Sequence, residues 1–333
     1  MKSKDRNFSH TISEDKSPGL AGKSVAFTGK NERDFAEWRE SFRHGLMKEL
    51  KLPKRKVPLR PEIVERNTFE NHIREKVVYD LEEGLSVVAW ICRPKKKTNA
   101  KCPAVLCCHG HGPGKDPLVG LYRGEACLEY HKMVAVRLAE KGFVTLVPDR
   151  RGYGDCSQFV NGFPDIDDLR KLDAFYRRKG SSLLSLDIVD SIRAIDLLNE
   201  LDMVDPEKTG CLGIETGATV AACLGAVDER VKAVSLTSFI SLDKGMPGIS
   251  CQDKFFARVG TVDICSLIAP RPLLLQIPVA DPVVPAENAR KAIPLTKKIY
   301  TFFHAEEKCV DFEFDGVLEL DYQSLEDWFV KWS

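Results

Sequence analysis

Hydrophobic and polar positions change rhythm along this chain, and each change predicts a different kind of element. Residues 1–24 show no period and mix both charges, which predicts a solvated, disordered tail. In DFAEWRESFRHGLMKEL, Phe35, Trp38, Phe42, Leu46 and Leu50 recur at three- and four-residue spacing, the signature of a helix with one buried face. The proline-punctuated KLPKRKVPLRP that follows reads as a surface connection, so 25–74 is expected to be an N-terminal helical extension. From residue 75 to 333 short apolar runs alternate with longer amphipathic ones. IREKVVYD and LSVVAWICRP read as paired strands around the turn LEEG. PAVLCC, FVTLVPD, CLGI, VKAVSLTS, PLLLQIPV and CVDFEF have the continuous apolar character of strands buried on both faces. Between them lie EYHKMVAVRLAEKG, SLLSLDIVDSIRAIDLLNEL, ATVAACLGA, PAENARKAIPLTKKIY and the terminal DYQSLEDWFVKW, all read as helices, with VDPEKTG as a turn.

Strands and helices in alternation imply a mostly parallel central sheet with helices on both faces, the α/β class. Segments 155–181 and 239–262 lack clear periodicity and follow strand ends, so both are candidates for the walls or lid of a pocket. Composition narrows the class of partner. Of 333 residues 43% are hydrophobic, enough for one large core, and the 49 basic residues balance the 49 acidic ones. A chain without net charge offers no field for nucleic acid or an anionic membrane, and no apolar run approaches a membrane span. The N-terminus lacks the apolar stretch of a secretion signal. The eleven cysteines are odd in number and show no zinc-ligand spacing, which favours reduced, packed thiols and a cytoplasmic protein. A small-molecule substrate or ligand is the expected partner. No cofactor and no metal are called for, and self-association into a homo-oligomer stays open.

The candidate chemistry centres on Gly213-Ile214-Glu215-Thr216-Gly217, between a strand and a helix of small residues. Glycines two positions either side of the apex suit a sharp strand-to-helix elbow that exposes one side chain. The backbone N–H groups of Thr216 and His111 are candidate donors of an oxyanion hole, and they do not depend on the apex side chain. Four stretches in order, PAVLCCHGHGPGK, GFVTLVPDRRGYGD, VDPEKTGCLGIETGA and DICSLIAPRPLLLQIPVADPVVP, resemble the α/β-hydrolase superfamily, in particular its dienelactone hydrolase and acetyl xylan esterase-like branch. The resemblance implies an α/β-hydrolase fold and a carboxylic ester hydrolase site, with Asp281 as the triad acid. It also marks two departures. Glu215 stands where the family places its serine, and Leu318, followed by Glu319, stands where it places its histidine.

Without serine and histidine the acyl-enzyme route is closed. The first reading of the site is a working carboxylate: Glu215, with Asp281 as a second acid, abstracting a proton beside a carbonyl in an elimination or isomerisation, or supporting an atypical hydrolysis. The second is a pseudo-hydrolase that has kept the pocket for a small ligand, a cationic one given two nearby acids. A third, metal binding by Glu215, Asp281 and His109 or His111, ranks lower. Around the site, His109, Arg151, Tyr153, Leu318 and Glu319 are pocket candidates, although hydrogen bonding to its own loop is the leading role for His109. Arg150 and Arg151 either hold an anionic group or, as the leading reading, pair with nearby acids. Cys156 shows nothing that activates a thiol, and His131 is read as packing. Asp187 and Asp190 are expected to face solvent or cap the sheet edge, and His304, which lies before the final strand at a helix end, is a poor replacement for the missing histidine.

Overall fold

Strands β1 (Glu62–Thr68), β2 (His72–Glu82) and β3 (Leu85–Pro94) form an antiparallel meander. Six further strands run parallel: β4 (Cys102–Cys108), β5 (Val144–Pro148), β6 (Val204–Ile214), β7 (Ala233–Thr237), β8 (Leu273–Pro278) and β9 (Cys309–Phe314). Together they make one sheet in the order β1-β2-β3-β5-β4-β6-β7-β8-β9, joined antiparallel at β3–β5. The structure, a computed structural model, describes residues 26–51, 56–96, 100–121, 130–157, 164–243, 245–247 and 255–332, so the 1–24 tail falls outside the described residues.

The strand period divides the core. Along β4, Ala104, Leu106 and Cys108 enter one hydrophobic cluster while Val105 and Cys107 enter the other. The first cluster takes in helices α1 (Glu32–Leu50), α4 (Leu183–Glu200), α5 (Thr216–Val227), α6 (Thr261–Ile268) and α7 (Ala286–Thr301). The second takes in α2 (Val134–Glu140) and α8 (Tyr322–Trp332). Helices therefore cover both faces, and the fold is that of an α/β-hydrolase. No described helix is long and apolar enough to cross a membrane. None of the nine described cysteines is joined in a disulfide.

Several boundaries move. α1 forms where the periodicity puts it, with Asn31 capping its first turn, but Phe35, Phe42, Leu46 and Leu50 are buried in the main core. The stretch 25–74 is thus not a helical extension alone, since it carries β1 and the start of β2. β1 escaped notice because EIVERNT is exposed at nearly every position. Its strand form comes from pairing with β2 at a sheet edge, not from alternation. VDPEKTG lies inside β6, at a register shift between the Cys102–Val204 and Ala104–Thr209 pairs. The helix expected from residue 129 is interrupted by left-handed Lys132 and Met133, so α2 begins only at Val134. Segment 155–181 contains α3 (Ile166–Arg178), which has a capping box between Asp165 and Asp168. Its single buried residue is the charged Asp173, while Leu169, Leu172 and Tyr176 stay partly exposed and join neither core cluster. In 239–262, Phe239, Ile240, Met246, Phe256 and Val259 are core residues.

His131 is packed, as expected, and burial alone pushes its imidazole down to about 3, with neither ring nitrogen hydrogen-bonded among the described residues. The unfolded chain therefore takes up a proton below about pH 6.5 that the fold refuses, so this residue's contribution is present above that pH and is lost as pH falls. Relative to His131→Leu, the wild type should lose about 1.4 kcal/mol per pH unit between roughly pH 6 and pH 4. Paired urea titrations of the two proteins measure it. Taking the difference cancels Asp149 and Asp190, whose carboxyls burial pushes up to about 6 and which act with the opposite sign. A pH-independent difference would show that His131 reaches solvent.

Candidate active site

The elbow is built by close packing around α5. All twelve residues of this helix are buried, and its first turn presses on the chain leaving β4. A Cβ at Gly217 would lie 2.3 Å from the Cys108 carbonyl oxygen and 2.4 Å from that of His109, so only glycine fits there. Held from below in this way, Glu215 adopts φ 55°, ψ −121°, a conformation costly for a residue with a side chain. Its N–H donates to the Thr237 carbonyl at 3.0 Å. The strained apex thus persists although no serine occupies it.

The carboxylate of Glu215 does not cap its own helix. It reaches across to the loop after β4, where the backbone N–H of His111 donates to Oε2 at 2.7 Å and the Tyr130 hydroxyl donates to the same oxygen at 3.1 Å. Burial, and then the charge of Glu215, raise the Tyr130 phenol above its ordinary value, so it stays a donor. Gly110 makes room: a Cβ there would meet the Tyr130 hydroxyl at 2.5 Å and Glu215 Oε2 at 2.9 Å. The His111 donor expected to serve a substrate oxygen is therefore already bonded to Glu215. Thr216 opens α5, where first-turn N–H groups lack helical acceptors, and its hydroxyl accepts from Arg150 at 2.9 Å.

His109 is fully buried and structural. Its Nδ1 lies 2.8 Å from the Gly110 carbonyl and its Nε2 accepts from the Arg150 N–H at 3.0 Å. Burial and the Arg150 charge hold the ring well below its ordinary pKa, in the neutral form. Arg150 and Arg151 are paired. Arg150 grips Asp187 through Nε at 2.9 Å and Nη2 at 2.8 Å, and Arg151 meets Asp190 at 2.6 Å. Burial opposes the Arg150 charge, but Asp187 reverses this and raises it above its ordinary value. Asp187 is thus buried against its guanidinium partner and not solvated, whereas Asp190 keeps a partly exposed side chain beside Arg151. Burial raises the Cys156 thiol to about 11, which leaves it unactivated.

Asp281 stands in the loop after β8, where Oδ1 accepts the N–H groups of Val283 at 2.7 Å and Val284 at 2.9 Å. Oδ2 is buried without a partner among the described residues. One residue earlier, Ala280 donates to the Gly316 carbonyl at 2.9 Å, which lays the Leu318 loop beside the acid. Leu318 is half-buried, and Glu319 is paired with Lys132 at 2.5 Å. Asp281 does not bond to Glu215 and does not line the cavity below. Among the described residues no three His, Cys, Asp or Glu side chains could hold a metal ion.

A cavity of about 440 Å³ opens above Glu215. His111, Arg150, Tyr153 and Thr216 share its floor, while α3 and the start of α4 form its wall. Segment 155–181 supplies that wall through α3, whereas no described residue of 239–262 lines it. Tyr153 lines this cavity, whereas Arg151 lines a second, smaller one. The sequence reading missed Tyr130, whose contact spans 85 positions and whose surroundings in EYHKM carry no signal.

A sheet of this order, with a sharp elbow after β6 and an acid after β8, defines an α/β-hydrolase. Comparison with known proteins is consistent: the profile of the Abhydrolase family matches residues 5–239, and the chain belongs to that family. The "Putative hydrolase YtaP" of Bacillus subtilis is 29% identical over 261 residues, covering 72% of this chain and 80% of its own. Among solved structures, one described as a putative acetyl xylan esterase of Bacteroides fragilis superposes with a TM-score of 0.73 at 16% identity, covering 87% of this chain and 78% of that one. A glucuronoyl esterase from Solibacter usitatus gives 0.65 at 13% identity, covering 91% and 95%. At these identities the structural likeness speaks for the fold.

Proposed function

We propose that this hydrolase-family protein has given up ester hydrolysis and uses the cavity above Glu215 to bind a small molecule. One observation carries the reading: Glu215 Oε2 occupies the His111 N–H that an ester carbonyl would need. A hydrogen bond to a charged group contributes about 1–1.5 kcal/mol more than one to a neutral group, so a neutral carbonyl competes for that donor at a disadvantage of about five- to tenfold. Leu318 supplies no imidazole for the triad's proton relay, and an Asp281 Oδ2 without a partner among the described residues is what a triad acid without its histidine would show. The expected result is no labelling by a fluorophosphonate probe and no saturable hydrolysis of short-chain p-nitrophenyl esters. Labelling of a residue in the cavity would sink the proposal.

A second reading rests on a different atom. Among the described residues Glu215 Oε1 accepts no hydrogen bond, and Glu215 lines the cavity. An anchored carboxylate with one free oxygen can abstract a proton from a bound ligand. NMR of a metabolite mixture incubated with wild type and Glu215→Gln separates the two readings. Turnover by wild type that the amide abolishes selects the base; unchanged spectra with both select the binder.

A further inference from the structure

Each arginine of the cavity wall has an acid of its own. Asp187 holds Arg150, Asp173 holds Arg177 at 2.6 Å, and Asp167 holds Arg170 at 2.9 Å. Glu215 differs. Its two donors, a backbone N–H and a phenol, are neutral, and among the described residues no lysine or arginine pairs with it. Among the described residues the floor of the cavity thus carries one acidic charge that no lysine or arginine pairs. Facing the same space are the hydrocarbon side chains of Leu169, Leu183 and Leu184. Water is a poorer competitor for an ion beside such a wall than in bulk, so opposite charges attract more strongly there.

We infer that the cavity takes a small organic monocation, with an ammonium group against Glu215 Oε1 and a hydrocarbon body against Leu169, Leu183 and Leu184. This inference rests on the reading of Glu215 as an anchored carboxylate. The same geometry sets the selectivity. A carboxylate of equal length is repelled by Glu215. A neutral alcohol can donate to Oε1 but brings no charge. A diammonium chain must in addition bring a second charge out of water against Leu169, Leu183 and Leu184, which disfavours it.

Isothermal titration calorimetry at constant ionic strength tests this with hexylammonium, hexan-1-ol, hexanoate and hexane-1,6-diammonium. Hexylammonium should bind wild type at least tenfold more tightly than any of the other three. Glu215→Gln, which keeps the shape and an acceptor oxygen, should weaken it at least tenfold, and Leu169→Trp, on the half-exposed helix α3, should block it by filling the space. Circular dichroism confirms that each variant is folded, and the two substitutions lie on separate elements. Equal binding of the alcohol, or binding unchanged in both variants, overturns the inference. Unlabelled protein that ignores hexylammonium overturns the ligand class and leaves the loss of ester chemistry standing. A protein that the fluorophosphonate probe labels in the cavity overturns both.

Discussion

Asp149→Asn is expected to lower the unfolding free energy by about 3 kcal/mol, the lower end of what breaking a buried ion pair costs. Lys115 and Asp149 have side chains only 1% and 0% exposed, with Nζ and Oδ2 2.6 Å apart. Burial by itself favours the neutral amine, yet Asp149 and Asp116 raise Lys115 above its ordinary value and keep it charged. Asp149 also accepts the backbone N–H groups of Lys115 and Asp155, at 2.9 and 2.8 Å, so one carboxylate ties the loop after β4 to the loop after β5. The amide would turn a donor toward the ammonium and leave that charge to Asp155, 2.8 Å away but half-exposed. The partial compensation by Asp155 is why the lower figure is chosen. Urea unfolding at neutral pH measures the loss, and one below about 1 kcal/mol would mean that the network is solvated. Because the same loop presents His111 to Glu215, the variant should also bind hexylammonium more weakly.

Glu215→Ser combined with Leu318→His should create ester hydrolysis where the parent has none, at least tenfold above the parent's background with p-nitrophenyl acetate. The serine would stand on an elbow that already has the required backbone, and removing the carboxylate frees the His111 N–H for the carbonyl oxygen. An imidazole at 318 would find Asp281 Oδ2 buried and without a partner, one loop away. Neither single substitution should suffice, since the hydroxyl and its base act as a unit. A folded but inert double variant would show that Leu318 does not stand in the place of the missing base.

The parallel part of the sheet was legible because strands buried on both faces, such as Leu273–Pro278, are nearly pure apolar runs. The elbow was legible because its glycines answer a close-packing demand that leaves a mark at fixed spacing. β1 was not legible, since an edge strand exposed on both sides has no alternation to read. The inward turn of Asp187 was hidden for a related reason: on a helix it looks like part of a solvated face, and only the Arg150 guanidinium arriving from the loop after β5 makes it interior. Glu215 was found, but not where its carboxylate goes. That depends on Tyr130 and on the loop after β4, which the fold alone brings within reach.

The strain at position 215 is borne by the glycine packing beneath it and by the Thr237 bond, neither of which involves the apex side chain. The apex is consequently an interchangeable socket. Whatever residue is encoded there is delivered to the same point in space, so selection can exchange the chemistry of this pocket one codon at a time while the surrounding architecture stays fixed.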